Sequence, residues 1–294
     1  MSRYLMVNAD DCGMCHAANA AMRALLECGG VTSATVMYCC PWAVEAANIA
    51  KAYPDRSVGV HLTTTAEWES YRWGSLTGAA CFRDGEGYFY RSSQDAERHA
   101  ELSAVEAEFR AQIERAKAYG LAPTHMDSHM GTAYGVASGK LELLELSVRL
   151  AAEYGLSFRF PSKHPEAEIR AYAERLKRPA DELRRFFEKI ASDARALHVA
   201  LPDHLIAHGH LAQAKDYGEF REGLLAHIGR FPEGVTEIYI HPSEDGAELR
   251  AITPLYLPRV WEYRFFADEE NRRAIREMGI EFLPYRELCG VLGL

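Results

Sequence analysis

Apolar residues fall along this chain in short runs separated by longer stretches with helical spacing. The runs predict strands at residues 4–10, 31–37, 57–62, 124–127, 157–160, 204–208, 235–241 and 280–284. Helix candidates lie between most of them. In 103–119, Val105, Phe109 and Ile113 recur every four residues, and in 140–154, Leu141, Leu144 and Val148 recur at three and then four. Strands alternating with helices imply parallel pairing through βαβ units. Eight such strands in 294 residues predict an α/β fold, a complete or distorted (β/α) barrel, with a doubly wound open sheet as the alternative. No internal repeat or low-complexity tract interrupts the pattern, so residues 1–294 read as one domain.

Two segments break the rhythm. Residues 66–95 ("EWESYRWGSLTG", "FRDGEGYFYRSS") form a loop excursion whose aromatics suggest an ordered cover over a site. Residues 165–195 carry eight basic and seven acidic side chains around Pro179, with Ile169, Tyr172 and Leu176 before it and Leu183, Phe186 and Ile190 after. This reads as an inserted helix pair, either a solvated face, a lid or a contact between subunits.

Composition narrows the function classes. A net charge of −9 argues against a nucleic-acid or anionic-membrane surface. No apolar stretch approaches a membrane span and no signal-peptide pattern opens the chain, so a cytoplasmic location is expected. Seven scattered cysteines do not make a disulfide framework, and the Cys12/Cys15 pair lacks the context of a redox or zinc-ribbon motif.

The chemistry gathers where parallel strands would end together. The first apolar run stops at Asp10 and Asp11, the third at His61, and "THMDSHMGT" supplies His125, Asp127 and His129. "EIYIHPSE" ends in His241. Adjacent carboxylates repel without a counter-ion, and imidazoles with a carboxylate suit a divalent metal that keeps positions open for water and substrate. One carboxylate can then bind the metal while the other serves as a base. "DHLIAHGHL" offers a rival cluster, with His204, His208 and His210 on one strand face.

"NADDCG", "VGVHLT" and "THMDSHMGT", in this order and spacing, resemble the YdjC/ChbG carbohydrate deacetylase family, including its HpnK-type members. The similarity runs from residue 3 to about 285. The resemblance implies a distorted (β/α) barrel related to the NodB-like deacetylases and metal-dependent removal of an N-acetyl group from chito-oligosaccharide-like sugars. It places the metal ligands on Asp11, His61 and His125, the catalytic base on Asp10 and the acid on His241. From the residues themselves, Asp127, on the strand face of His125, would orient a ligand or bind substrate. His129 would contact substrate, supply a further ligand or serve the loop, and Trp68, Tyr71 and Trp73 would either stack on the sugar or cover the core. The family implies Mg2+, whereas two imidazoles and a carboxylate favour Zn2+. Many members carry Phe at Cys12 and a further histidine at Met130 or Gly131, a polar group this chain lacks beside the substrate.

The expected partner is a small N-acetylated sugar, with a homodimer among the assemblies that helical insertions favour. The alternatives are a phosphoesterase or phosphosugar isomerase on the same barrel, and a non-catalytic carbohydrate-binding protein with a structural metal. No phosphate-cradling glycine motif supports the first. The second expects four protein ligands rather than three.

Overall fold

The computed structural model describes residues 2–294 and contains all eight expected strands. They are β1 (Arg3–Cys12), β2 (Ser33–Val36), β3 (Ser57–Leu62), β4 (His125–Ser128), β5 (Ser157–Phe158), β6 (His204–Leu205), β7 (Gly234–Ile240) and β8 (Ile280–Phe282). The helices are α1 (His16–Cys28), α2 (Ala43–Ala52), α3 (Ser93–His99), α4 (Leu102–Ala118), α5 (Glu142–Tyr154) and α6 (Glu166–Leu176). They continue with α7 (Ala180–Ala196), α8 (Tyr217–Ile228), α9 (Ala247–Ile252), α10 (Tyr256–Ala267), α11 (Glu269–Glu277) and α12 (Tyr285–Leu292).

Every strand pair is parallel, in the order β5-β4-β3-β2-β1-β7-β6. One edge of β1 takes β7 along Arg3–Ala9. Its other edge is shared, with β8 beside Arg3–Leu5 and β2 beside Asn8–Cys12. The sheet curls until its outer strands meet. Phe158 N–H donates to Ala200 O at 3.0 Å, Ser162 N–H to Pro202 O at 2.9 Å and Lys163 N–H to Asp203 O at 3.0 Å. Irregular backbone thus closes the seam between β5 and β6, and the architecture is a distorted barrel rather than an open sheet.

Leu5, Val7 and Ala9 of β1 face the helices and join the main apolar core. Apolar stripes complete that core: Ala18, Met22, Leu25 and Leu26 of α1, and Val105, Phe109 and Ile113 of α4. The alternate residues point into the barrel, whose floor is a separate cluster of Met6, Val235, Leu283, Tyr285 and Leu288. Above this floor the interior is polar, which is unusual for a (β/α) barrel normally filled with branched aliphatics. Asn8, Thr35, His61, His125, Asp127, Arg159 and Glu237 are all buried.

Both irregular segments are ordered. Residues 165–195 form the α6–α7 pair, seated through Ile169, Leu183, Phe187 and Ile190. The 66–95 excursion is cinched at its root, where Ala66 N–H donates to Tyr90 O at 2.9 Å. Inside it Arg72 binds Asp84 and the Phe89 carbonyl, both at 2.6 Å. Glu108 of α4 accepts from Ser75 Oγ at 2.7 Å and from the Leu76 and Thr77 amides at 3.0 Å. Two strands are shorter than their apolar runs suggest: β5 and β6 carry two residues each, because the chain there leaves the ladder to close the seam. Among the described residues, no helix is long and apolar enough to cross a membrane.

Gly59 makes room inside this barrel. A Cβ there would lie 2.4 Å from the His125 carbonyl oxygen and 2.8 Å from its ring. Gly59→Ala is therefore expected to destabilise the fold by about 1–3 kcal/mol, read as a lower midpoint in urea unfolding with an unchanged slope.

Candidate active site

The site begins with an irregularity in β1. Strand alternation sends Asn8 and Asp10 inward and would send Asp11 outward with Ala9 and Val7. The register instead shifts between Ala9 and Cys12, and Asp11 adopts φ +60°. Aspartate tolerates this left-handed conformation better than most residues. The bulge turns the second carboxylate inward, so both Asp10 and Asp11 line a cavity of about 400 Å3 at the C-terminal end of the strands. β1 therefore runs through the acidic pair to Cys12, beyond the expected end at residue 10.

Around Asp11 the structure assembles one potential metal set. Its Oδ1 lies 3.3 Å from His61 Nε2 and 3.1 Å from His129 Nδ1. A carboxylate occupies the far nitrogen of each imidazole: Asp127 Oδ1 is 2.6 Å from His61 Nδ1, and Glu67 Oε2 is 2.9 Å from His129 Nε2. An ionised carboxylate only accepts, so these far nitrogens carry protons, leaving His61 Nε2 and His129 Nδ1 as lone pairs in the neutral rings. Arg259 of α10 donates from Nη2 to Asp11 Oδ2 at 2.9 Å.

The titration of these groups follows their neighbours. Burial alone would raise Asp11, but Arg259 and His241 outweigh it and hold the carboxyl well below its usual range. Burial would lower His61, yet Asp127 and Asp10 push it up to about 9. His129 is likewise raised well above its ordinary value against burial, chiefly by Glu67.

Asp10, His61 and Asp127 also lie close enough together to hold an ion, but a guanidinium already fills that space. Arg159, just past β5, donates to both Asp10 oxygens at 2.6 and 2.7 Å and approaches Asp127 at 3.0 Å. Its Nε donates to Glu237 of β7 at 2.8 Å, and Tyr285 OH donates to the other Glu237 oxygen at 2.5 Å. Burial pushes Glu237 up to about 7 in spite of these donors. Asp10 is also buried, but Arg159 and then His61 overcome that effect and lower it.

His125 does not join Asp11 and His61. It sits one pleat nearer the start of β4 than Asp127, deep in the barrel, while His129 lies just past the strand's end. Its Nε2 meets Asn8 Oδ1 at 3.1 Å, its Nδ1 meets Thr124 Oγ1 at 2.8 Å, and its ring stacks on Tyr285 at 3.7 Å. Burial and then Arg159 push it well below its usual value, so it stays neutral. His129, expected either to touch substrate or to supply a further ligand, stands in the third position instead.

The remaining expected residues divide. His241 lines the cavity, and its backbone N–H donates to Glu262 Oε2 at 2.7 Å. Trp68, Tyr71 and Trp73 are absent from the cavity wall, which takes its aromatics from Tyr134 and Tyr239. They back the site instead. Trp68 lies beneath Arg259, the Tyr71 hydroxyl donates to the Met14 carbonyl, and Trp73 packs 6.0 Å from His129. The rival histidines scatter because β6 ends at Leu205. His204 is half-buried, His208 binds Glu262 at 2.8 Å, and exposed His210 stands edge-on to His227.

Arg159, Glu237, Glu67 and Arg259 escaped the sequence reading. The first two carried a usable signal, a charge inside the apolar runs "LSFRF" and "TEIYI". Glu67 in a loop and Arg259 in a helix carried none.

The chain is similar to known proteins along nearly its whole length. The model of the YdjC-like protein family matches residues 4–277. A carbohydrate deacetylase of Thermoanaerobacter pseudethanolicus is 27% identical over 286 residues, covering 96% of this chain and 98% of that protein. A carbohydrate deacetylase of Thermus thermophilus is 36% identical over 154 residues, about half of each chain. The crystal structure of a provisionally named cellobiose-phosphate cleavage protein from Enterococcus faecalis superimposes with a TM-score of 0.76 at 26% identity, covering 98% of this chain and 99% of the other. With a family match spanning nearly the whole barrel and a site built at the strand ends, the chain belongs to the YdjC-like family.

Proposed function

We propose that the protein is a metal-dependent deacetylase that hydrolyses the N-acetyl group of a small carbohydrate. The observation that carries this reading is the convergence of Asp11 Oδ1, His61 Nε2 and His129 Nδ1 on one cavity wall beside a second, separately held carboxylate. The similarity to proteins named carbohydrate deacetylases supports the substrate class.

The donor set fits a divalent cation: one carboxylate and two imidazoles whose far nitrogens are fixed by Asp127 and Glu67. Such an ion would polarise the acetyl carbonyl and acidify a water. Asp10 then has the base role. It stands 4.0 Å from His61 Nε2, beside the proposed metal position, and Arg159 keeps it ionised and fixed in orientation. His241 opens onto the same cavity, where its imidazolium can protonate the departing amine. Tyr134 and Tyr239 line the cavity in which the sugar would sit. The charge of each cavity guanidinium already faces a carboxylate, Arg159 on Asp10 and Arg259 on Asp11, which favours a neutral acetamide over a phosphoester at this site. A purely structural metal fits poorly as well, since three ligands at an open cavity leave positions for water.

The direct test is acetate release from a panel of N-acetylated saccharides by metal-reconstituted protein; no release from any of them, or full release after chelation, overturns the reading. His129→Ala should abolish metal retention measured by atomic spectroscopy. His125→Ala should retain the metal and instead lose about 3 kcal/mol of stability. Asp10→Asn should keep the metal while acetate release falls ~100- to 10,000-fold. Metal affinity should also depend on pH. In the metal-free protein His61 holds its proton up to about pH 9, and the ion must displace it. Affinity should therefore weaken by about tenfold or more per unit as pH falls from 8 to 6, measured by calorimetry, and level off only above 9.

A further inference from the structure

Glu67 and Trp68 are adjacent in the chain at the root of the 66–95 excursion, and each reaches a different arm of the cluster around Asp11. Glu67 accepts from His129 Nε2 at 2.9 Å. The Trp68 ring lies 5.7 Å beneath the Arg259 guanidinium, which donates to Asp11 Oδ2 at 2.9 Å. Arg259 Nη1 is buried without a hydrogen-bond partner among the described residues, and so is the indole Nε1 of Trp68. The two groups therefore meet through ring face and cation, not through a hydrogen bond.

We propose that Glu67 and Trp68 are the positioning pair of the metal centre, fixing from one loop how two of its three ligands present themselves. The proposal rests on the ligand set described above. A histidine can offer either nitrogen, and an aspartate one oxygen or both. Glu67 makes His129 Nε2 the protonated nitrogen and leaves Nδ1 facing Asp11. Arg259, held over Trp68, takes Asp11 Oδ2 and leaves Oδ1 facing both imidazoles. Only His61 is oriented by the barrel itself, through Asp127 of β4. The excursion can do this because its root is anchored on both sides of the pair. Thr65 bridges to Tyr90, and Trp73 Nε1 donates to the Thr65 carbonyl at 2.8 Å.

Co2+ binding to the full chain tests this without turnover, using visible absorption for ligand geometry and competition for affinity. Glu67→Gln should weaken Co2+ binding ~10- to 100-fold and alter the absorption spectrum. Trp68→Leu should weaken it by a smaller factor, and Trp68→Phe, which keeps a ring face, should restore most of the loss. Melting of the metal-free proteins identifies any variant that fails to fold, and the Glu67→Gln and Trp68→Phe comparison stands even if Trp68→Leu does. Variants with wild-type affinity and spectrum overturn the positioning role alone. A wild-type protein that binds no Co2+ overturns the ligand set, and the proposal with it.

Discussion

Carboxylates outnumber fixed cations in the heart of this barrel, and the architecture of the site follows from that imbalance. Asp10, Asp11, Asp127 and Glu237 are buried, with Glu67 close by, against the guanidiniums of Arg159 and Arg259. A buried ion without a partner costs several kcal/mol, so each carboxylate must be neutralised locally. Arg159 serves three of them, and Arg259 serves Asp11. His61 and His129, whose affinity for a proton is raised by these carboxylates, contribute further positive charge. A divalent ion among Asp11, His61 and His129 would supply the same positive charge with the two protons released.

The framework was largely legible in the sequence because its signals are local. Alternation and helical spacing expose the eight strands, α4 and α5, and the charged helix pair around Pro179. Neighbouring charged strand ends also made the convergence of Asp10, Asp11, His61 and His241 on one cavity readable. The failures share a physical origin in geometry that periodicity cannot express. The bulge at Asp11 breaks the alternation that a strand reading assumes. His125 and His129 differ by four residues, which is the difference between the barrel's middle and its rim. The apolar run after His204 looks like strand, yet the backbone there is spent on closing the seam.

The aromatic excursion shows the same limit. Trp68, Tyr71 and Trp73 read as cover for the core or, as readily, as a sugar platform facing the cavity. Packing turns them the other way, against Arg259, Met14 and His129. The aromatics that line the cavity are instead Tyr134 and Tyr239, and its rim includes Met130, where two successive left-handed residues let the chain turn away from β4.

Tyr285 belongs to two worlds. Its ring helps plug the floor of the barrel, while its hydroxyl grips Glu237, which grips Arg159, which grips Asp10. Four side chains thus connect the last helix to the reaction chamber. A disturbance of that helix would be transmitted upward as a loosened guanidinium beside Asp10, the proposed base.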